Sequence, residues 1–370
     1  MKTMTRSCLV AALALLGARA ASAQSTFLDS PDAQHVAFPD PRLVVNGLHW
    51  FEEDKPVLRR LPARLKDGFR PAVWNLAQQP SGGRIRFKTD SSRIGILASN
   101  PNAGTMHHMT SIGQSGFDLY VNGGYLNSAW PDKDSKIARE WNVGKAGELR
   151  DLTLYLPLYK GVTVREIVLD KDAKIEAPKP FALAKPVVHY GSSITQGGCA
   201  ENPGLSCQAI VSRWLNVDFV NLGFSGNGLG EPAVAQAVAE IDASAFVLDY
   251  WGNPSPQVYR DTLPAFTDTL RAKHPKTPIL VTSPYYFPAE GTSAATQSTQ
   301  DEKRRIAREF VQARQKGGDP NISFVDGLEM LSREQAEGLV DGVHANSLGF
   351  YFCAKGLEPQ LRKALGLGSK

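Results

Sequence analysis

The sequence predicts a two-part fold: an antiparallel β-sandwich of jelly-roll-like type, then a flavodoxin-like three-layer α/β/α domain around a five-stranded parallel sheet. Three observations lead there. From about residue 24 to 180, short alternating or β-branched segments are separated by turn residues, with few helix-length stretches between them; such a set closes as two packed sheets. Beyond Pro186, near-continuous apolar strands alternate with helical patterns, which requires a parallel sheet covered on both faces. The Gly-, Ser- and Asn-rich blocks of this second half fall after strands, at the carboxyl edge where open α/β sheets bind ligands.

In chain order, residues 1–23 stand apart from the fold. Lys2 and Arg6 make a positive start, residues 8–16 are a short apolar run, and Ala21-Ser22-Ala23 is a small-residue cleavage site, the three parts of a secretory signal cut near Ala23. The run is too short to span a bilayer, and no lipobox precedes Cys8. A secreted or periplasmic protein is therefore expected, without membrane insertion. Cleavage would take Lys+Arg from 41 to 38 against 37 Asp+Glu, leaving +1. With no Lys/Arg-rich stripe, nothing in the charge pattern favours nucleic acid or an anionic membrane as partner.

The β half, residues 24–180, is expected to hold strands at 42–45, 84–88, 93–97, 117–121, 151–156 and 162–169, with turns such as Pro80-Ser81-Gly82-Gly83 and Asn122-Gly123-Gly124 between them. Trp50, Trp74, Trp130 and Trp141 read as sandwich core, because aromatic side chains usually pack. Lys179-Pro180 and Lys185-Pro186 punctuate the exit, placing the boundary near residue 180. In residues 181–370, strands are expected at 186–190, 219–222, 246–250, 279–282 and 322–325. Helices are expected near 208–215 and at 298–315, where Ile306, Phe310 and Val311 share one face.

Of the cysteines outside the signal, Cys199 and Cys207 flank a Pro/Gly-containing loop, and export makes a local disulfide the expectation. Cys353, in an apolar run, reads as a buried free thiol. No metal site is expected: no second CxxC or spaced His pair is present, and the adjacent His107 and His108 would point oppositely in extended chain.

Four blocks carry chemistry. After the first strand of the second half comes Gly191-Ser192-Ser193, after the next Gly223-Phe224-Ser225-Gly226, then Trp251-Gly252-Asn253-Pro254, and after the last Asp341-Gly342-Val343-His344. A serine hydroxyl is a weak nucleophile until an imidazole takes its proton and a carboxylate orients that imidazole. Ser193, His344 and Asp341 supply these three groups. The N–H groups of Ser193 and Gly226, with the side-chain amide of Asn253, could receive a developing oxyanion; Asn presents NH₂ where Asp could not. Singly, each residue has an ordinary explanation: Ser a helix cap, Asn and Asp turn formers, Gly a bend. It is their joint order on post-strand loops that points to catalysis.

These blocks resemble the SGNH (GDSL-type) hydrolase superfamily, over roughly residues 183–365. Gly116-Phe117-Asp118-Leu119-Tyr120 is similar to the G-x-D-L-Y signature of an N-terminal β-domain found before some secreted bacterial members. The resemblance implies Ser193 as nucleophile, Gly226 and Asn253 in the oxyanion hole, Asp341 and His344 completing the triad, and no cofactor. Three positions depart: Ser192 stands where the family has Asp, Trp251 where the third block begins with Gly, and Pro254 where that block ends in Asp. None is a group the chemistry requires. Beside Asn253, the Trp251 indole would narrow the acyl slot and favour acetyl. The expected function is a secreted serine esterase removing short acyl groups, acetyl above all, from carbohydrate or another small ester. The rivals are a lipase, arylesterase or thioesterase with the same triad, and an inert glycan-binding protein.

Overall fold

The computed structural model describes residues 27–101 and 106–368. The expected secretory signal lies outside them. No helix among the described residues is long and apolar enough to cross a membrane.

The N-terminal half is a pair of antiparallel sheets. One runs in the order β1 (Gln34–Ala37), β9 (Thr163–Leu169), β4 (Arg93–Ser99), β7 (Lys136–Asn142). The other runs β10 (Ile175–Glu176), β3 (Arg84–Thr89), β8 (Arg150–Tyr155), β5 (Phe117–Val121), β6 (Gly124–Ala129), with β2 (Val44–Asn46) also on β3. Ile85, Phe87, Leu119, Leu152 and Leu154 of the second sheet face Ile94, Ile96, Ile137, Trp141 and Ile167 of the first, and this is the sandwich core. The period of two then turns Arg84 and Arg86 to the opposite face. That face is covered rather than solvated. Arg84 pairs with Asp218, donates to the Phe219 carbonyl at 3.2 Å and lies 4.0 Å from the Phe219 ring centroid.

The second half is the expected parallel sheet, ordered β12 (Phe219–Gly223), β11 (Val187–Gly191), β13 (Ala245–Asp249), β14 (Ile279–Thr282), β15 (Ile322–Val325). Val187 pairs with Phe219 on one side and Ala245 on the other, and Ile279 with Ile322. β11, β12 and β14 are buried along their whole length, which is why they read as near-continuous apolar runs broken only by His189 in β11 and Asn221 in β12. α5 (Cys207–Leu215) packs with α10 (Ser347–Ala364), while α6 (Pro232–Val238), α7 (Pro256–Lys273) and α8 (Ala294–Lys316) pack in a row. α8 buries Ile306 and Val311 and is capped by Ser293, which accepts from the Thr296 N–H at 3.2 Å.

The N-terminal half also contains short helices, α1 (Phe51–Asp54), α2 (Pro71–Ala77) and α3 (Ser111–Ser115). In α2, Pro71 opens the helix and Val73 and Ala77, one turn apart, are buried. Their partners are not in the sandwich. Trp50, Leu61, Val73, Ala77, Met109, Leu158 and Tyr159 belong to the hydrophobic core of the α/β half. Trp141 is sandwich core as expected, but Trp130 is not core: it is 49% exposed, with the Arg139 guanidinium 5.9 Å from its ring centroid.

Candidate active site

The first block turns sharply where β11 ends. A Cβ on Gly191 would lie 1.8 Å from Thr195 Oγ1, so only glycine lets the chain fold back into α4 (Ser193–Gln196). Ser192, the residue in place of Asp, is its N-cap and accepts from the Ile194 N–H at 3.3 Å. Ser193 thus occupies the first helical position, 7% exposed.

The last block is a loop following α9 (Gly327–Met330) and preceding α10. Asp341 Oδ1 accepts from the N–H groups of Val343 at 3.0 Å and His344 at 2.7 Å. Gly342 supplies the left-handed φ of +81° that this turn needs. The buried Tyr285 hydroxyl donates to the Val343 carbonyl at 2.6 Å from below. The outcome is a continuous chain across 151 residues of sequence: Ser193 Oγ to His344 Nε2 is 2.8 Å, and His344 Nδ1 to Asp341 Oδ2 is 2.8 Å. Burial pushes the Asp341 carboxyl up, but the hydrogen bonds from His344 and Val343 outweigh it and hold the group below the ordinary carboxylate range.

The two middle blocks abut the first. A Cβ on Gly228 would meet the Gly191 carbonyl oxygen at 2.3 Å, and one on Gly252 would meet Ser192 Oγ at 3.0 Å. Asn253 Oδ1 accepts from the Gly228 N–H at 3.0 Å, which fixes the amide with its NH₂ end left over. Gly226 has φ +67°, and a Cβ there would meet nothing within 4 Å. The glycine is therefore required by its left-handed backbone, not by close approach.

Residues 184–362 match the model of the GDSL-like lipase/acylhydrolase family, and residues 35–175 match that of the GxDLY N-terminus of SGNH-hydrolase-type esterases. A candidate GDSL-like lipase from Bacteroides ovatus ATCC 8483 is 31% identical in sequence, over 91% of this chain and 99% of its own, with a TM-score of 0.83. The chain belongs to the GDSL-like lipase/acylhydrolase family. It is an ester-hydrolysing enzyme. Two more distant structures share the fold. One is the salicylyl-acyltransferase SsfX3 from a tetracycline biosynthetic pathway, at 22% identity, 91% and 98% coverage and TM-score 0.76. The other is a family two carbohydrate esterase from Cellvibrio japonicus, at 15%, 90% and 98%, and 0.61. No curated protein matches the chain.

The site leans on its N-terminal half through residues that sequence reasoning did not single out. The buried Tyr159 hydroxyl donates to the Ser193 carbonyl at 3.1 Å. Arg60, 1% exposed, donates to the carbonyls of Gly223, Asn221 at 3.3 Å, Gln79 at 2.7 Å and Leu76 at 2.8 Å, clamping the end of β12 that leads to Gly226. Burial lowers its pKa to about 9. The signal for Arg60 was present as a cation inside the apolar stretch Val57-Leu58-Arg59-Arg60-Leu61. Asp118, the acid of the G-x-D-L-Y signature, is fully buried and accepts from Ser128 Oγ at 2.6 Å, Asn202 Nδ2 at 3.0 Å and the Gly204 N–H at 2.8 Å. It thereby docks the loop that follows α4 onto β5.

Two expectations are corrected. Trp251 does not line an open slot: it is 1% exposed, donates from Nε1 to Asp249 Oδ1 at 2.9 Å and packs edge-on against Tyr285 at 5.1 Å. Its indole turns inward because Asp249, at the end of β13, is a buried acceptor beneath the turn. The same carboxyl takes the Thr195 hydroxyl at 2.8 Å and that of Thr282. Nor are Cys199 and Cys207 bridged; both are free, as is Cys353. Cys207 faces the interior cavity that Cys353 also lines, whereas Cys199 is held beside the His344 loop by its N–H on the Ala345 carbonyl at 2.7 Å. The two thiols therefore occupy different compartments.

Proposed function

We propose that Ser193 is the nucleophile of a serine esterase that removes short acyl groups, acetyl foremost, from carbohydrate outside the cytoplasm. The observation that carries the reading is the pair of 2.8 Å contacts linking Ser193, His344 and Asp341. His344 Nε2 takes the hydroxyl proton as Ser193 Oγ attacks the ester carbonyl, and Asp341 holds the ring through Nδ1. The tetrahedral oxyanion is received by the N–H groups of Ser193 and Gly226 and by the Asn253 NH₂. The proton on His344 then passes to the leaving sugar hydroxyl, and water, activated by the same imidazole, releases the acid from the acyl-enzyme.

The preference for short chains rests on the tight packing beneath α4, at Ile194 next to Ser193. The cavity lined by Ile194, Trp251 and Tyr285 holds about one water molecule, so a long chain finds no tunnel there. The carbohydrate assignment draws support from the shared fold of family two carbohydrate esterases, among them one from Clostridium thermocellum solved with cellohexaose. The deciding measurement is acetate release from a panel of acetylated polysaccharides, with the Ser193→Ala protein as control. p-Nitrophenyl acetate, butyrate and octanoate set chain length in parallel. Preference for octanoate, or release that persists in Ser193→Ala, overturns the reading.

A further inference from the structure

Among the described residues, one group of three metal-ligating side chains comes together, and it straddles the catalytic imidazole. His108, Cys199 and His344 each offer one ligand atom, and these atoms lie within 4.8 Å of one another. His108 comes from the N-terminal half, just before α3, and its ring stands edge-on to that of His344 with centroids 5.6 Å apart. Cys199 is a buried free thiol pinned next to the same loop. Because Nδ1 of His344 is committed to Asp341 at 2.8 Å, its remaining lone pair is on Nε2, the atom that faces Ser193 Oγ.

We propose that these three side chains form an inhibitory site for a thiophilic divalent cation, with Zn²⁺ as the type, binding through His108, Cys199 Sγ and His344 Nε2. One thiolate and two imidazoles suit zinc, cadmium or copper and not the hard cations magnesium and calcium. Zinc sits about 2.0–2.1 Å from nitrogen and about 2.3 Å from sulfur, so tetrahedral ligands lie roughly 3.4–3.6 Å apart. Closing from at most 4.8 Å takes a shift of at most about 1.4 Å, to which the exposed His108 ring contributes by rotation. As the metal–sulfur bond forms, the Cys199 proton leaves to solvent, and the fourth position stays open to water. Once Nε2 is coordinated it has no lone pair for the Ser193 proton, so hydrolysis stops until the metal is withdrawn. Neither His107 nor a Cys pair takes part; the ligands are gathered from both halves of the chain by the fold.

The inhibitory half of this inference rests on His344 acting as the base; the binding half does not. The test therefore has two readouts on the full chain. Binding is followed by titration with Zn²⁺ and by the sulfur-to-metal absorption of the Co²⁺ complex, in wild type, His108→Ala and Cys199→Ser. Activity is followed on p-nitrophenyl acetate with ZnCl₂, then EDTA, with MgCl₂ as control. Zn²⁺ is expected to bind one-to-one and abolish activity, EDTA to restore it, and Mg²⁺ to do neither. His108→Ala and Cys199→Ser should keep metal-free activity and weaken both binding and inhibition by at least about 10- to 100-fold, the loss seen when even a supporting group of a metal site is removed. The Co²⁺ absorption should vanish in Cys199→Ser. Binding that both variants leave unchanged, or no binding, overturns the site. Binding through these residues without loss of activity overturns the inhibition and with it the role of His344. If no ester is hydrolysed at all, the titration alone still decides the site.

Discussion

At the residue scale the proposed mechanism separates groups that react from groups that aim them. On the proposed mechanism, Ser193→Ala removes the nucleophile from a unit whose parts act together, so kcat should fall on the order of 10⁶ with the fold unchanged by circular dichroism. Asn253 is different. Its Oδ1 is held by the Gly228 N–H, so if its NH₂ is the proposed oxyanion donor, Asn253→Ala should lower kcat by about 10²–10³ with little change in KM. A loss seen in KM alone would assign the amide to ground-state binding instead. The convergence of Ser193, His344 and Asp341 was legible because each block announces itself locally: a glycine turn, a polar cluster, then a helix or loop. Trp251 was legible as a departure but not in its direction, since an indole beside Asn253 could turn outward or inward. Only the buried Asp249 acceptor, at the end of a strand that reads simply as apolar, decides it.

At the element scale the Gly191–Ser193 turn is braced from below by that carboxyl. Thr195 of α4, Thr282 of β14 and Trp251 all donate to Asp249, yet burial outweighs them and its pKa is raised. The sign follows from linkage. Between the unfolded carboxyl value and the higher folded value the unfolded chain has lost a proton that the folded one keeps, so stability falls as pH rises across that window. Asp249→Asn keeps an acceptor for Thr282 and Trp251 and turns an NH₂ to the Thr195 oxygen, which can accept. Its Tm should therefore decline less than that of wild type as pH rises above the ordinary carboxylate range of about 4. Parallel declines in the two proteins would show that Asp249 is not the group responsible. The strands were mostly visible in the sequence, but β7, which buries Ile137 and Trp141, was not read, and other misses fall where patterning is weak. β6 exposes Gly124 to Asn127 and so shows no alternation, and β1 and β10 span only 4 and 2 residues. The Arg-Ile-Arg-Phe-Lys alternation of β3 was read correctly as a strand, but polar residues facing solvent and polar residues facing another layer give the same pattern.

At the scale of the whole molecule, that ambiguity concealed the way the two halves are joined. A boundary near residue 180 is apparent from the Pro-rich punctuation, but it separates sequence patterns more cleanly than cores. Tyr120 and Tyr155 of the sandwich cluster with Ala209 and Phe219 of the α/β half, and Met109, Leu158 and Tyr159 sit in the main core with β11 and α5. Four polar anchors accompany them: Arg84 on Asp218 and Phe219, Arg60 on Gly223, Asp118 on Gly204, and Tyr159 on Ser193. Removing residues 24–180 would bare Phe219 and Ala209 and leave the Gly223 and Asn221 carbonyls, buried now, without their donor. Each such orphan costs about 1–3 kcal/mol where it stays buried, against a total stability of only about 5–15 kcal/mol for a domain. The segment 181–370 expressed alone should therefore bind a hydrophobic dye, unfold without a cooperative transition and show no turnover of p-nitrophenyl acetate. Wild-type kcat/KM in that segment would mean that the N-terminal half only tethers the enzyme, and that Arg60 and Tyr159 position nothing the reaction needs.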